Sequence, residues 1–593
     1  MKYPTLAEMG TSRVLTDAFL GYNHNLRIGD GEFYEMSNMT GDNYPILSPR
    51  GRRGIYVASG DPVGIVAKDS LCYIAGDDFW MNGNKYVEGL GLTEYKDEEG
   101  KIIPKTLISM GAYVIVMPDK KYINTKSQSD FGDIDERFES NGTVSFQISR
   151  SDGSAYSGTH TGSTPPEITE EMKADPSKIP AWIDTSSVPH SLKQYSISSE
   201  SWTAVATTYV KIACDNIGKR FEVNDGVTIS GILDESLSAL NGSFIIMSKA
   251  DNFIVITGLI DVSKTQAEPI TVERRMPDMD FVVESGNRLW GCRYGVQSDK
   301  VVNEIYASKL GDFKNWSSYL GTAADSYAVT VGTDGQFTGA ITHLGYPIFF
   351  KEGFMHKIYG NYPSNYQVQT TACRGVQKGC ERSLAIVNEV LYYKARSGVC
   401  AYDGSLPTEI SGALGDKIYD SAVAGYLGNK YYISMRETGG DYSLFVYDTK
   451  KGMWHREDAT EAMQFCNCRG DLYLIDRASK QIVSVRGGGT PIPNAVEWEV
   501  VSNIIGTDTP DKKYVSRIDV RMLLEIDAKV SFYIEYDSSG AWEYLYTMTG
   551  VSLKSFSAPI KTRRCDHLRL KIVGEGDAKI FSICKTIELG SEK

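Results

Sequence analysis

Histidine, cysteine and paired carboxylates are the side chains from which a metal centre, a nucleophile or an acid–base pair would have to be built. The chain of 593 residues has seven histidines, His24, His160, His190, His343, His356, His455 and His567. No two of them stand at the short spacing that brings metal ligands together on one element. Cys466 and Cys468 are too close for a zinc knuckle, and no second pair accompanies them. Most of the ten cysteines read as reduced, buried small hydrophobes, as in Gly398-Val399-Cys400-Ala401-Tyr402. Cys373 and Cys380 could meet across a turn, but their spacing does not by itself assign a disulfide. A phosphate-binding loop, a dinucleotide fingerprint, a nucleophile elbow and a His-Glu-x-x-His helix are all absent. Asp130-Phe131-Gly132-Asp133-Ile134-Asp135-Glu136 and Gly76-Asp77-Asp78 offer carboxylates, but neither fits a calcium loop, and both read as solvated turns. Spacing alone cannot sort 75 acids into a glycosidase pair. The expectation is a protein with no catalytic, metal or cofactor site: not an enzyme.

The elements around these residues are strands. The chain is rich in Tyr (36) and Gly (57) beside 20 Pro. Tyr packs one face of a strand and keeps its hydroxyl wet, and Gly supplies the positive φ of tight turns. A short apolar run, a Gly/Asp/Asn turn and a second run recur at 70–83, 111–124, 283–292, 342–351, 387–394, 426–434 and 468–476. From Val283 onward the repeat is roughly 40 to 50 residues, the period of propeller blades. Outer strands ending in Tyr-Asp, at Tyr402-Asp403 and Tyr447-Asp448, give these blades a kelch-like layout. The expected fold is therefore all-β: a β-propeller with an inserted small β-barrel domain and a C-terminal antiparallel β-sandwich.

The division along the chain follows from breaks in this pattern. Residues 1–137 carry an N-terminal segment and the first blades, and 138–273 form the insert. Within the insert, 151–178 reads as a loop or partly ordered excursion, while 221–231 and 241–247 read as strands of the barrel. Residues 274–490 carry the remaining blades. In 491–593, Ile518-Asp519-Val520-Arg521-Met522-Leu523 and Val530-Ser531-Phe532-Tyr533-Ile534 alternate strictly, as sandwich strands do.

Net charge is −13, which argues against tight nucleic-acid binding through phosphates. The sequence has no apolar run of about 20 residues, and its start has no cationic and apolar leader. Synthesis in the cytoplasm without membrane insertion is expected. The basic pairs Arg52-Arg53, Arg274-Arg275 and Arg563-Arg564 read as solvated faces or as subunit contacts with acidic neighbours.

Several segments resemble two known families. Tyr536-Asp537-Ser538-Ser539-Gly540-Ala541-Trp542 resembles the Asp-box turn of sialidases, a hairpin lock rather than a catalytic group. Phe19-Leu20-Gly21-Tyr22-Asn23-His24-Asn25-Leu26-Arg27-Ile28-Gly29-Asp30-Gly31-Glu32-Phe33, with Met36-Ser37-Asn38-Met39-Thr40 and Tyr44-Pro45-Ile46-Leu47-Ser48-Pro49-Arg50, resembles the opening of tailed-bacteriophage virion proteins. Lys561-Thr562-Arg563-Arg564-Cys565-Asp566-His567-Leu568-Arg569-Leu570, followed by Ala578-Lys579-Ile580-Phe581-Ser582-Ile583-Cys584, is similar to the end of the packaged-DNA stabilisation proteins of short-tailed phages. Glu304-Ile305-Tyr306-Ala307-Ser308 and Gly311-Asp312-Phe313-Lys314-Asn315-Trp316 extend the likeness to the central blades. The resemblance runs in patches over most of the chain outside the insert at 138–273, and its motifs are structural. It implies a homohexameric nozzle or tail hub in the virion, beneath portal and adaptor proteins, that holds packaged double-stranded DNA and becomes its exit channel without binding it tightly. It brings no catalytic residues. The alternative is a tail propeller that binds or cleaves host carbohydrate, since sugars stack on exposed Tyr and Trp and a fold hosts many functions.

Overall fold

The computed structural model describes residues 10–57, 60–297, 300–492, 494–507, 512–560 and 563–589. Met1–Met9, Lys561 and Thr562, which entered the reading of the leader and of the C-terminal basic strand, lie outside them. The fold is all-β and built from many small, mostly antiparallel sheets. Among the described residues one α-helix, Glu170–Ala174, and several 3-10 turns are the only helical elements.

Six four-stranded meanders occupy 62–87, 106–133, 281–330, 337–372, 385–409 and 419–456, and a seventh, three-stranded over 462–484, borrows Gly54–Val57 as its fourth strand, on which Thr490–Pro491 adds a short fifth. Each of the seven hairpins legible in the sequence falls in one of these meanders. Two-residue left-handed turns join their strands, as at Asn82-Gly83, Leu344-Gly345 and Asn388-Glu389; such turns match the twist of the flanking strands. The first strands of successive meanders touch in order, with the 3-10 turn Glu381–Ser383 mediating the step from the fourth to the fifth. The seventh meander's first strand, Ala462–Cys468, touches the first strand of the first, Pro62–Ala67, so the series closes on itself. Its borrowed strand, Gly54–Val57, pairs with Gln481–Ser484 and ties the beginning of the chain to the end of the cycle. Gly54 is required there, because a Cβ would lie 2.1 Å from the Gly488 carbonyl oxygen.

Two expectations change at this level. The Tyr-Asp strands Val399–Tyr402 and Tyr442–Asp448 are the third of four strands, not the outermost. Tyr393 and Tyr431 are fully buried, and their hydroxyls donate to the carbonyls of Arg374 (2.5 Å) and Ser383 (2.7 Å). A neighbouring turn's carbonyl satisfies each phenol, so these residues contribute full apolar burial without an unpaired polar group.

The inserted segment is held at its base by Glu136–Glu139 pairing with Thr271–Arg274, so chain entry and exit are adjacent. A four-stranded sheet containing this pair and a five-stranded sheet share one apolar core, which includes Phe146, Phe221 and Ile256. Residues 151–178 are more regular than expected. Thr159–Gly162 pairs parallel with Ala181–Asp184, and Thr169 caps the short helix by accepting from the Met172 amide. The polar Thr-His-Thr-Gly run lacks the apolar alternation that marks a strand in sequence.

The two ends of the chain build a double sheet together. Thr11–Thr16, Ala578–Leu589, Lys513–Leu524 and Lys554–Ala558 form one layer. Gly21–Tyr22, Glu32–Ser37, Glu497–Ser502, Leu568–Glu575, Lys529–Tyr536 and Glu543–Thr549 form the other. Phe33, Trp498, Val520, Phe532, Ile572 and Ile580 belong to one core shared by both layers and by the fourth to sixth meanders. The close fit is seen at Gly574, where a Cβ would lie 2.1 Å from the Trp498 ring.

Candidate functional site

The surface most suited to a function is the rim of this double sheet. Each layer ends there in a strand with no second strand neighbour among the described residues: Glu543–Thr549 in one, Lys554–Ala558 in the other. Only the turn 550–553 separates them. Along this rim Tyr544, Tyr546, Val551 and Leu553 are 58%, 46%, 62% and 55% exposed. Glu543 anchors the rim through an ion pair with Arg563 at 3.1 Å, and the Tyr544 hydroxyl donates to Thr547 at 2.9 Å. Beside the rim, Tyr544 packs edge-on to Tyr533 and Lys571 lies 5.3 Å from the Trp542 ring. The opposite rim is Thr11–Thr16, also a layer's last strand, with Leu15 59% exposed. Arg13 on it pairs with Asp519 at 3.5 Å. Unpaired main-chain donors and acceptors flanked by exposed apolar side chains make each rim a template for an added strand.

The basic pairs behave differently from expectation. Arg53 is buried and points inward, with Nη2 2.6 Å from Glu457 Oε2 and Nη1 3.1 Å from Asp458 Oδ2. Arg50 joins the same acids at 3.6 and 3.2 Å. Burial alone would raise the Asp458 carboxyl, but Arg53, Thr460 and Arg50 hold it below its ordinary value. Arg274 is likewise buried, 2.6 Å from Asp225 at the base of the insert. Neither arginine is free to meet another subunit. Arg275 and Arg563 are exposed and paired within the chain, to Glu273 and Glu543.

The residues that open chemistry elsewhere are dispersed. All ten cysteines are free thiols, including Cys373 and Cys380, so the disulfide considered for that pair is absent. Burial pushes the Cys380 thiol up to about 12. Asp77 accepts from the Gly91 and Leu92 amides, Asp133 pairs with Lys121, and Asp135 accepts from the Met276 amide. These acidic runs thus organise loops. Among the described residues no three His, Cys, Asp or Glu side chains converge as a metal cage. In the Asp-box-like turn Asp537 accepts from the Asp566 amide and Ser538 meets the His567 ring at 2.7 Å, which locks the turn. The rim residues were overlooked in the sequence, although Glu543-Tyr544-Leu545-Tyr546 breaks polar–apolar alternation, a signal of a strand not wholly turned inward. No helix among the described residues is long and apolar enough to cross a membrane.

No protein-family model matches the chain, and no curated protein matches it. Among solved structures, a chain described as a glycoside hydrolase is 12% identical, covers 50% of this chain and 96% of its own, and has a TM-score of 0.20. Bacteroides ovatus xyloglucan PUL GH43B is 8% identical over 51% and 96%, with a TM-score of 0.18. Trypanosoma rangeli sialidase in complex with sialic acid is 11% identical over 98% and 96%, with a TM-score of 0.16. Superposition this poor carries no argument about the activity of this chain.

Proposed function

We propose that the protein is a non-enzymatic component of a bacteriophage tail, present in the virion as a homohexameric ring beneath the portal and adaptor. In this reading the seven meanders are the blades of a β-propeller latched by Gly54–Val57, the insert is a small barrel-like domain projecting from it, and the terminal double sheet is a sandwich that joins subunits. The carrying observation is the pair of opposed rims of the double sheet. Strand Thr11–Thr16 of one copy continues the sheet at the Glu543–Thr549 and Lys554–Ala558 rim of the next. Such a contact joins two different surfaces, and it closes into a ring when the rotation between copies permits. The phage-like N-terminal and C-terminal segments meet in this same double sheet, which supports the same reading. The net charge of −13 suits a channel wall past which DNA slides, since few cations are available to replace its counterions.

The test is electron microscopy of purified particles, with native mass spectrometry of the isolated chain. A six-fold ring with the rims at subunit boundaries is expected, and Tyr546→Lys with Leu553→Lys should leave only monomer. A monomeric peripheral spike, or a lumen lined by Lys and Arg, would sink the reading. A second reading, a glycan-binding tail protein, draws on the Tyr533, Trp542 and Tyr544 rings beside the rim. It gains ground if host polysaccharide binds the chain and Trp542→Ala abolishes that binding.

A further inference from the structure

A cleft of about 500 Å³ lies where the 40–52 segment crosses the sixth and seventh meanders. Five separate pieces of chain build it: that segment, the hairpin around Gly428 and Asn429, the turn that follows Asp448, Glu457, and residues 485–486. Six cations line it, Arg50, Arg52, Lys430, Lys450, Lys451 and Arg486, against three carboxylates, Asp42, Asp448 and Glu457. This excess of positive charge stands out in a chain whose net charge is −13.

Half of the cations are already committed. Lys430 is 2.6 Å from Asp42 and also donates to Thr40, Lys451 is 3.3 Å from Asp448 and donates to the Gly41 carbonyl, and Arg50 serves Glu457 and Asp458. Those pairs fix the walls. The other three, Arg52, Lys450 and Arg486, have no carboxylate within ion-pair distance among the described residues. Asp471 accepts from the Arg486 main-chain amide and from the Ser484 hydroxyl, and makes no ion pair with the Arg486 side chain. Three uncommitted cations therefore approach one concave space from three different segments. Such an arrangement suits a ligand with several charged oxygens: guanidinium groups grip phosphate bidentately, and an ammonium adds a point charge. A single carboxylate would leave at least one of the three unanswered. Behind the cleft the His455 ring is buried against Gly41 and faces Lys430, Lys451, Asp448 and Asp42, so it senses charge in the cleft.

We infer that this cleft is a binding site for a polyphosphate or phosphodiester anion, held by Arg52, Lys450 and Arg486. The inference rests on the cleft alone and is independent of ring assembly. Two sources share the chemistry, the backbone of DNA and a free phosphate compound.

Calorimetric titration of the full chain with inorganic triphosphate, and separately with a short DNA duplex, tests it. Saturable binding of triphosphate is expected, weakened at least tenfold in Lys450→Ala with Arg486→Ala and weakened by added salt. Both changed residues are exposed, and an unaltered melting midpoint verifies that the variant is folded. The His455 ring, followed by NMR, should titrate at higher pH when triphosphate is bound, because an anion favours the imidazolium. Duplex that binds with the same dependence on Lys450 and Arg486 and displaces triphosphate assigns the source to DNA; duplex that does neither assigns it to a free phosphate compound. Absence of binding by both probes at millimolar concentration overturns the inference. So does binding that the double substitution leaves unchanged.

Discussion

Mild acid should loosen the cycle of meanders through two buried histidines. His455 in the sixth meander is 4% exposed, and its pKa is lowered to about 4, first by burial and then by Lys430 and Lys451, with Asp448 and Asp42 opposing. His356 in the fourth is fully buried between the hydroxyls of Thr333 (3.0 Å) and Thr370 (2.9 Å), and burial with Lys351 lowers it to about 4 as well. The unfolded chain takes up these protons near pH 6.5, before the folded one does. Stability is therefore flat above neutrality, falls as pH drops from about 6.5 toward 4, and the loss is complete below that. Between pH 7 and pH 5 each histidine should cost about 2 kcal/mol, about 4 kcal/mol together. For units of this size that lowers the calorimetric midpoint by on the order of 5–10 °C. Scanning calorimetry at pH 7, 6 and 5 measures it, with His455→Gln and His356→Gln each expected to remove about half of the acid loss. If the doubly substituted chain and the parent decline equally over this range, neither histidine is held neutral and the reasoning fails.

Other perturbations probe the remaining elements. Arg53→Met leaves Glu457 buried beside a half-answered charge and should cost about 3–5 kcal/mol, read as an early melting transition, with Glu457→Gln in the same chain restoring part of it. Gly574→Ala drives a Cβ into the Trp498 ring and should destabilise the double sheet by about 1–3 kcal/mol, seen as altered Trp fluorescence on heating. Replacing 138–273 by a short turn should leave the meanders folded, because Glu136–Glu139 and Thr271–Arg274 bring the two cut ends together; aggregation of the shortened chain would count against an independent insert. The pure protein should release no reducing sugar from host glycan.

How much of this was legible depends on the range of the interaction. Hairpins are local, and their turns announce themselves through residues that tolerate left-handed backbone, such as Asn82-Gly83 or Asn388-Glu389. Hence a reading of adjacent residues locates a hairpin of every meander. Closure of the cycle is not local. Gly54–Val57 pairs with strands more than 400 residues away, and nothing in Gly-Ile-Tyr-Val distinguishes a latch from any other short strand. The same holds for Thr11–Thr16, whose partner lies at the far end of the chain.

Charge was the least legible feature, because a pair of arginines in sequence says nothing about what either will face. Arg52 and Arg53 are neighbours just before strand Gly54–Val57, yet Arg52 is exposed and Arg53 is buried. Arg53 enters the junction of the sixth and seventh meanders, where Glu457 and Asp458 were waiting on a segment remote in sequence, and Arg52 looks into the open cleft. Arg274 and Arg275 divide in the same way, between buried Asp225 and surface Glu273. A buried arginine must be matched by acids brought from elsewhere in the chain, so its role is fixed by the fold as a whole. The exposed member carries no such obligation, and that freedom is what lets Arg52 join Lys450 and Arg486 around a space large enough for a polyanion.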